Sequence, residues 1–147
     1  MSITPRDDKN KIRDIILADK YIVEWLGFKE NEISTARDLA GEFDKTKKYI
    51  NIYEKPNEST MNPKISLSVY QIDILAANEK TKITEVDLCL EQIRLLLNDA
   101  WATPVKRIEV LGNIGNITTS KPSQYQVGLQ VGVYSQIFGK PHVYDVG

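Results

Sequence analysis

The chain has 147 residues, 41% hydrophobic and 27% charged, with a net charge of −1 and a pI near 5.9. That length suits one domain, residues 1–147, able to bury about 68–70% of its unfolded surface without a metal or disulfide. The balanced charge excludes the basic surplus of a general nucleic-acid binder, no run of about 18 apolar residues offers a membrane span, and the single cysteine, Cys89, excludes an internal disulfide.

The N-terminus, MSITPRDDKNK, lacks the apolar core of a secretion signal, so a chain made and used in a cytoplasm is expected. Residues 5–19 read as a helix. Pro5 suits its first turn, Asp7 and Asp8 complement its dipole, and Ile12, Ile15 and Ile16 share a face. Tyr21 to Phe28 form a second apolar cluster, with Gly27 punctuating a short helix. Residues 29–47 are polar and charged and read mostly as a surface excursion.

The first predicted strand is 48–53, with Ile50 and Ile52 on one face and Tyr49 and Tyr53 on the other. A polar loop bounded by Pro56 and Pro63 follows. It is longer than a tight hairpin needs, and Lys55, Asn57, Glu58, Met61 and Asn62 are its candidate contact residues. The next strand runs from Lys64 to about Ala76. Its apolar phase moves from Ile65, Leu67 and Val69 to Ile72 and Ile74, which suggests a β-bulge near Tyr70 or Gln71.

Thr81 to Asn98 is the clearest helix, with Ile83, Val86, Leu90, Ile93 and Leu97 at three-four spacing. Thr84 with Asp87 resembles a capping box, and Thr81 is an alternative cap. NDAWATP ends the helix before Pro104. A strand spans 105–111, and GNIGN at 112–116 reads as a turn, with a bent continuation of the strand as the alternative.

The last strand, Gln124 to Ile137, is unusually long. Val127, Leu129, Val131, Val133 and Ile137 fill one face, while Gln126, Gly128, Gln130, Gly132 and Tyr134 lie on the other. At about 3.3 Å per residue it would span roughly 46 Å, against a diameter of about 40 Å for a globule of this length. It must bend or reach towards a neighbour. Two glycines weaken a strand unless close approach or a bend needs them. Gln126, Gly128, Gln130, Gly132 and Tyr134 are therefore candidate subunit-interface residues. Residues 139–147 read as an exposed tail. Together the elements predict an α+β fold: an antiparallel sheet of about four strands against one long helix and an N-terminal helix.

Chemistry is sparsely signalled. His142, the lone histidine, sits in the tail without an orienting partner, and one His with one Cys cannot assemble the usual zinc sets. Cys89 reads as a small buried hydrophobe. The acidic pairs Asp7/Asp8, Glu30/Glu32 and Glu85/Asp87 read as helix-end charge or solvated surface. GNIGN lacks the lysine of a phosphate loop, and no nucleophile elbow is present. Lys45, Lys47 and Lys48 form a small cluster read as a solvated face, with phosphate contact as the sharper alternative. No catalytic residue, metal or cofactor is expected.

From the helix KIRDIILADKYIVEWLG, the strand YINIYEKP, the segment PKISLSVYQID, the helix ITEVDLCLEQIRLLLND and the paired strands RIEVLGN and YQVGLQVGVYSQ, the chain resembles the tail-terminator proteins of long-tailed bacteriophages and prophages. The resemblance covers residues 8–138 and is one of element pattern. It implies a non-enzymatic structural protein of the virion tail or neck, assembled in the host cytoplasm. It implies a homo-oligomeric ring, commonly a hexamer, that caps the tail tube, stops its polymerisation and joins it to the head. The implied partners are further copies, the tail tube protein and a head-completion protein of the neck, with no membrane and no specific nucleic-acid binding, although DNA can pass through the ring. The 54–63 loop would face the tube. The alternatives are a head-completion stopper or adaptor, a small cytoplasmic binding protein unrelated to phage, and a small carboxylate enzyme.

Overall fold

The computed structural model describes residues 5–35, 44, 46–54, 65–103, 106–116 and 124–136. The described elements are α1 (Pro5–Leu17), β1 (Ile33–Ser34), β2 (Tyr49–Glu54), β3 (Ile65–Ala77), α2 (Lys80–Leu97), β4 (Ala100–Thr103), β5 (Lys106–Asn116) and β6 (Gln124–Gln136). A π-helical turn spans Tyr21–Trp25 and a 3-10 turn spans Glu30–Glu32. The fold is α+β, as the sequence predicts.

Among the described residues the sheet has six strands in the order β1-β2-β3-β6-β5-β4, where about four were expected. The added strands are the short edges. β1 lies inside the segment read as a surface excursion and pairs parallel with β2, while every other pairing is antiparallel. Ile33 is nearly fully buried there. β4 comes from the NDAWATP stretch, read only as a helix end. Two and four residues are too few to reveal periodicity.

Strand alternation sorts the sheet into two faces. Ile50, Ile52, Tyr70, Ile72, Ile74, Val127, Leu129 and Val131 are buried against Ile12 and Ile16 of α1 and Val86, Cys89, Ile93 and Leu97 of α2. The α2 stripe thus passes through Cys89, while Leu90 is only partly buried at its margin. Neither threonine caps this helix. Glu79 is the N-cap residue without a side-chain bond, and the Thr84 hydroxyl donates back to the Lys80 carbonyl (3.1 Å). The helix stops at Asn98 and Asp99, where Asp99 takes φ 65°, a left-handed conformation that aspartate tolerates better than most residues. Gly27, at φ 74°, ends the π-helical turn as the sequence suggests.

The expected bulge in β3 is absent. β3 and β6 pair in unbroken register from Ile65↔Gln136 to Ala77↔Gln124. The register shifts lie in β5, at Val110/Gly112 and Ile114/Asn116, so GNIGN is a bulged strand continuation and not a turn. The phase change in β3 therefore has another cause. Tyr70, Ile72 and Ile74 face the helices, while Leu67 and Val69 point to the far face. The strand stays regular and its apolar side switches.

Polar side chains pin the helical layer to the sheet. Asp8 is buried, accepting from the Tyr70 hydroxyl (3.1 Å) and pairing with Lys106 (3.2 Å). It is thus a buried anchor where a solvated helix-end charge was expected. Arg13 donates to the Ile33 carbonyl (2.8 Å) and the Glu30 carbonyl (3.0 Å), locking β1 to α1.

Candidate functional site

On the far face, β6 supplies Gln126, Gly128, Gln130, Gly132 and Tyr134, all five predicted interface residues. β6 is a central strand whose two edges are paired within the chain. A neighbour can meet it only through this face. Among the described residues, both α-helices lie on the opposite side of the sheet.

The far face divides into two halves by register. In the first, Asn51 of β2, Asp73 of β3 and Gly128 of β6 stand in one row, with Tyr53, Gln71 and Gln130 in the next. The Tyr53 hydroxyl donates to Asp73 Oδ2 and Gln71 Nε2 donates to Asp73 Oδ1, each at 2.7 Å. Asn51, Gln71 and Asp73 are buried. Hydrogen bonds occupy both oxygens of the Asp73 carboxylate, so this half is an internal network that sets side-chain positions.

The second half sets apolar side chains around an ion pair. Trp101 of β4 lies opposite Arg107 of β5, which lies opposite Tyr134 of β6, which lies opposite Leu67 of β3. In the adjoining row Glu109 faces Gly132, which faces Val69. Leu111, the extra residue of the first β5 bulge, turns onto this face. A Cβ on Gly132 would stand 2.8 Å from Leu67 Cδ1, 3.2 Å from Tyr134 Cε2 and 3.3 Å from Leu111 Cδ1. Gly132 is therefore a floor on which these side chains of its own chain rest, and the close approach it permits is intramolecular. Trp101 is 59% exposed and Leu111 43%. Arg107 lies within the patch, between Trp101 and Tyr134, paired with Glu109 (2.6 Å) and Asp99 (3.7 Å).

The patch combines Trp, Tyr, Leu and Arg in one exposed area, a composition enriched where proteins dock. Of the residues in this patch the sequence singles out Gly132 and Tyr134, and it does not single out Trp101, Arg107, Leu67, Val69 or Leu111. The phase slip in β3 was the available signal: it marks apolar residues on the face away from the helices.

Other candidates are occupied structurally. Lys48 donates to the Leu26 carbonyl, pairs with Glu85 (3.3 Å) and lies 5.1 Å from the centroid of the Phe28 ring, so it fastens β2 to the helical layer. Lys47 is exposed and Lys45 lies outside the described residues. Asp87 accepts from the Tyr125 hydroxyl (2.7 Å), and Glu32 accepts from the Lys29 amide (3.0 Å). Cys89 is a buried free thiol whose pKa burial pushes up. Among the described residues, no group of three or more His, Cys, Asp or Glu is placed to hold a metal, and no helix is long and apolar enough to cross a membrane. Lys55, Asn57, Glu58, Met61, Asn62, His142 and the 139–147 tail lie outside the described residues.

No protein-family model matches the chain, and no curated protein matches it. Among solved structures, a protein whose name states no function superposes with a TM-score of 0.51 at 11% identity, covering 87% of this chain and 98% of its own. At that identity the likeness speaks for a shared fold alone, and it extends over nearly the whole of both chains.

Proposed function

We propose that this chain is a structural component of a phage or prophage tail or neck: a tail terminator that forms a ring, caps the tail tube, stops its growth and presents a surface to the head. The element pattern described above suggests the role. The observation that supports it is an exposed patch on the sheet. Helices cover one face, and the far face, buried around Asn51, Gln71 and Asp73, is exposed at Trp101 and Leu111. The β3–β6 ladder is 13 residues long, roughly 43 Å. Its helix-facing side is buried beneath α1 and α2 together, so the surface it has to offer to neighbours, as a ring subunit needs, is the far face. In this reading the partners are further copies of the chain, the tube protein and a head-completion protein, with a channel left for DNA and the chain resident in the virion.

Removing the gene from its phage and imaging the particles by electron microscopy tests the role. The expected result is tails of uncontrolled length that fail to join heads, corrected when purified protein is added back. Tails of normal length, joined to heads without the protein, would overturn it. Loss of head joining with normal tail length would instead favour a stopper or adaptor of the neck.

A further inference from the structure

Among the described residues, exposed large apolar side chains lie on the sheet, on α2 and on the π-helical turn, where Trp25 is 80% exposed. On the sheet side they are Trp101 and Leu111. On the helical side, α2 carries Leu88 and Leu95, 43% and 64% exposed. These two leucines stand seven residues apart, two helical turns along one stripe. They face away from the core stripe formed by Val86, Cys89, Ile93 and Leu97.

Each apolar area carries charges. Within the sheet patch Arg107, between Trp101 and Tyr134, pairs with Glu109 and Asp99, and beside the helix stripe Arg94 pairs with Glu91. The side chains of Arg107 and Asp99 are 43% and 74% exposed, and those of Arg94 and Glu91 are 41% and 54% exposed. Exposed pairs of this kind contribute little to the isolated chain, so they can exchange partners at small cost. Each surface carries both signs, so in such an exchange Glu91 would meet Arg107 and Arg94 would meet Asp99 and Glu109. Matched charges of this sort fix register and suppress wrong pairings.

We infer that the occupant of the sheet patch is a second copy of this chain, which seats its α2 stripe, Leu88 and Leu95, against Trp101, Leu111 and Tyr134. The inference rests on the ring reading above and names the surfaces that build it. The two surfaces differ and lie on opposite sides of the sandwich, so the contact is heterologous. Each copy offers its helix to one neighbour and its sheet to the next. That arrangement propagates until rotation closes it into a ring, whereas a surface that met itself would stop at a dimer.

Two single substitutions at exposed positions, Trp101→Asp and Leu95→Asp, test this by solution mass of the full chain at high concentration. Unchanged unfolding midpoints would show that both variants stay folded. The wild-type chain is expected to form a closed multimer and each variant a monomer. An equimolar mixture is expected to form a one-to-one dimer and nothing larger, because each variant retains the surface that the other lacks. A Leu95→Asp protein that assembles like wild type, a mixture that stays monomeric, or a wild-type chain that is monomeric at every concentration would each overturn the inference. Tail capping separates this interface from the function. A Leu95→Asp protein that assembles and caps tails normally removes the interface and leaves the role intact. A wild-type ring that passes the mixing test but caps nothing leaves the interface standing and removes the role.

Discussion

Asp8 shows how the setting of a single residue decides its energetics. The side chains of Asp8 and Lys106 are 3% and 12% exposed, while the Lys9–Glu54 pair nearby is 18% and 48% exposed. Removing one member of a buried pair leaves the other charge without its partner. Asp8→Ala should therefore lower stability by about 3–5 kcal/mol, and Glu54→Ala by no more than about 1 kcal/mol. Urea unfolding of the two variants checks this, and equal losses would contradict the assigned burial. Two tyrosines carry a pH dependence. Burial first, then the hydrogen bond to Asp87, raises the Tyr125 pKa from 10.0 to about 12. Burial first, then the charge of Asp8, raises that of Tyr70 as well. The folded chain holds these protons longer than the unfolded chain does. Their stabilising contribution is complete below pH 10.0 and is lost as pH climbs through about 12 for Tyr125. Stability measured by urea should fall across that window, and Tyr125→Phe should flatten part of the slope. A midpoint that rose with pH there would reverse the sign.

At the scale of the element, α2 has two stripes with opposite duties. Ile93 is fully buried against the sheet and Leu95 is exposed. Ile93→Ala should destabilise the chain by about 2–5 kcal/mol, and Leu95→Ala should stay within about 0.5 kcal/mol. Leu90 is only partly buried, so Leu90→Ala should fall between them. Thermal or urea unfolding of the three variants ranks them, and a larger loss at Leu95 than at Ile93 would mean that the helix is rotated. The same separation explains why assembly variants belong on the outer stripe. A large charged side chain at Gly132 would have to displace Leu67, Tyr134 and Leu111. It would mix a folding defect with an assembly defect, whereas Leu95→Asp and Trp101→Asp isolate the second.

Across the whole molecule, stability should grade from the centre of the sheet to its edges. β3 and β6 pair along all 13 residues, and β3 is also paired to β2 and β6 to β5. The edge strands β1 and β4 have two and four residues. Hydrogen exchange should therefore be slowest in the middle of β3 and β6 and fastest at Ile33–Ser34 and Ala100–Thr103, since local opening follows the depth of packing and pairing. If the inferred ring forms, β4 and the outer side of α2 should gain protection on assembly while β2 keeps its own rate. Uniform protection across the sheet would argue against this gradient.

The sequence by itself determined the α+β class, the long helix, the apolar side of β6 and the alternation of β2. Each rests on a repeat long enough to show its period. It also placed Gln126, Gly128, Gln130, Gly132 and Tyr134 together, because a strand period of two assigns a common face without any knowledge of neighbours. Tertiary structure alone decided which strands flank that face. Only pairing across β4, β5, β6 and β3 brings Trp101, Arg107, Tyr134 and Leu67 into one row. It also settled the phase slip in β3: local pattern cannot tell a bulge from a change of buried side, since both shift the apolar phase by one residue. The burial of Asp8 belongs to the same class, because its partners Tyr70 and Lys106 lie 62 and 98 positions away in sequence. Local periodicity carries short-range information, and a docking face or a buried ion pair is made by residues that meet only after the chain has folded.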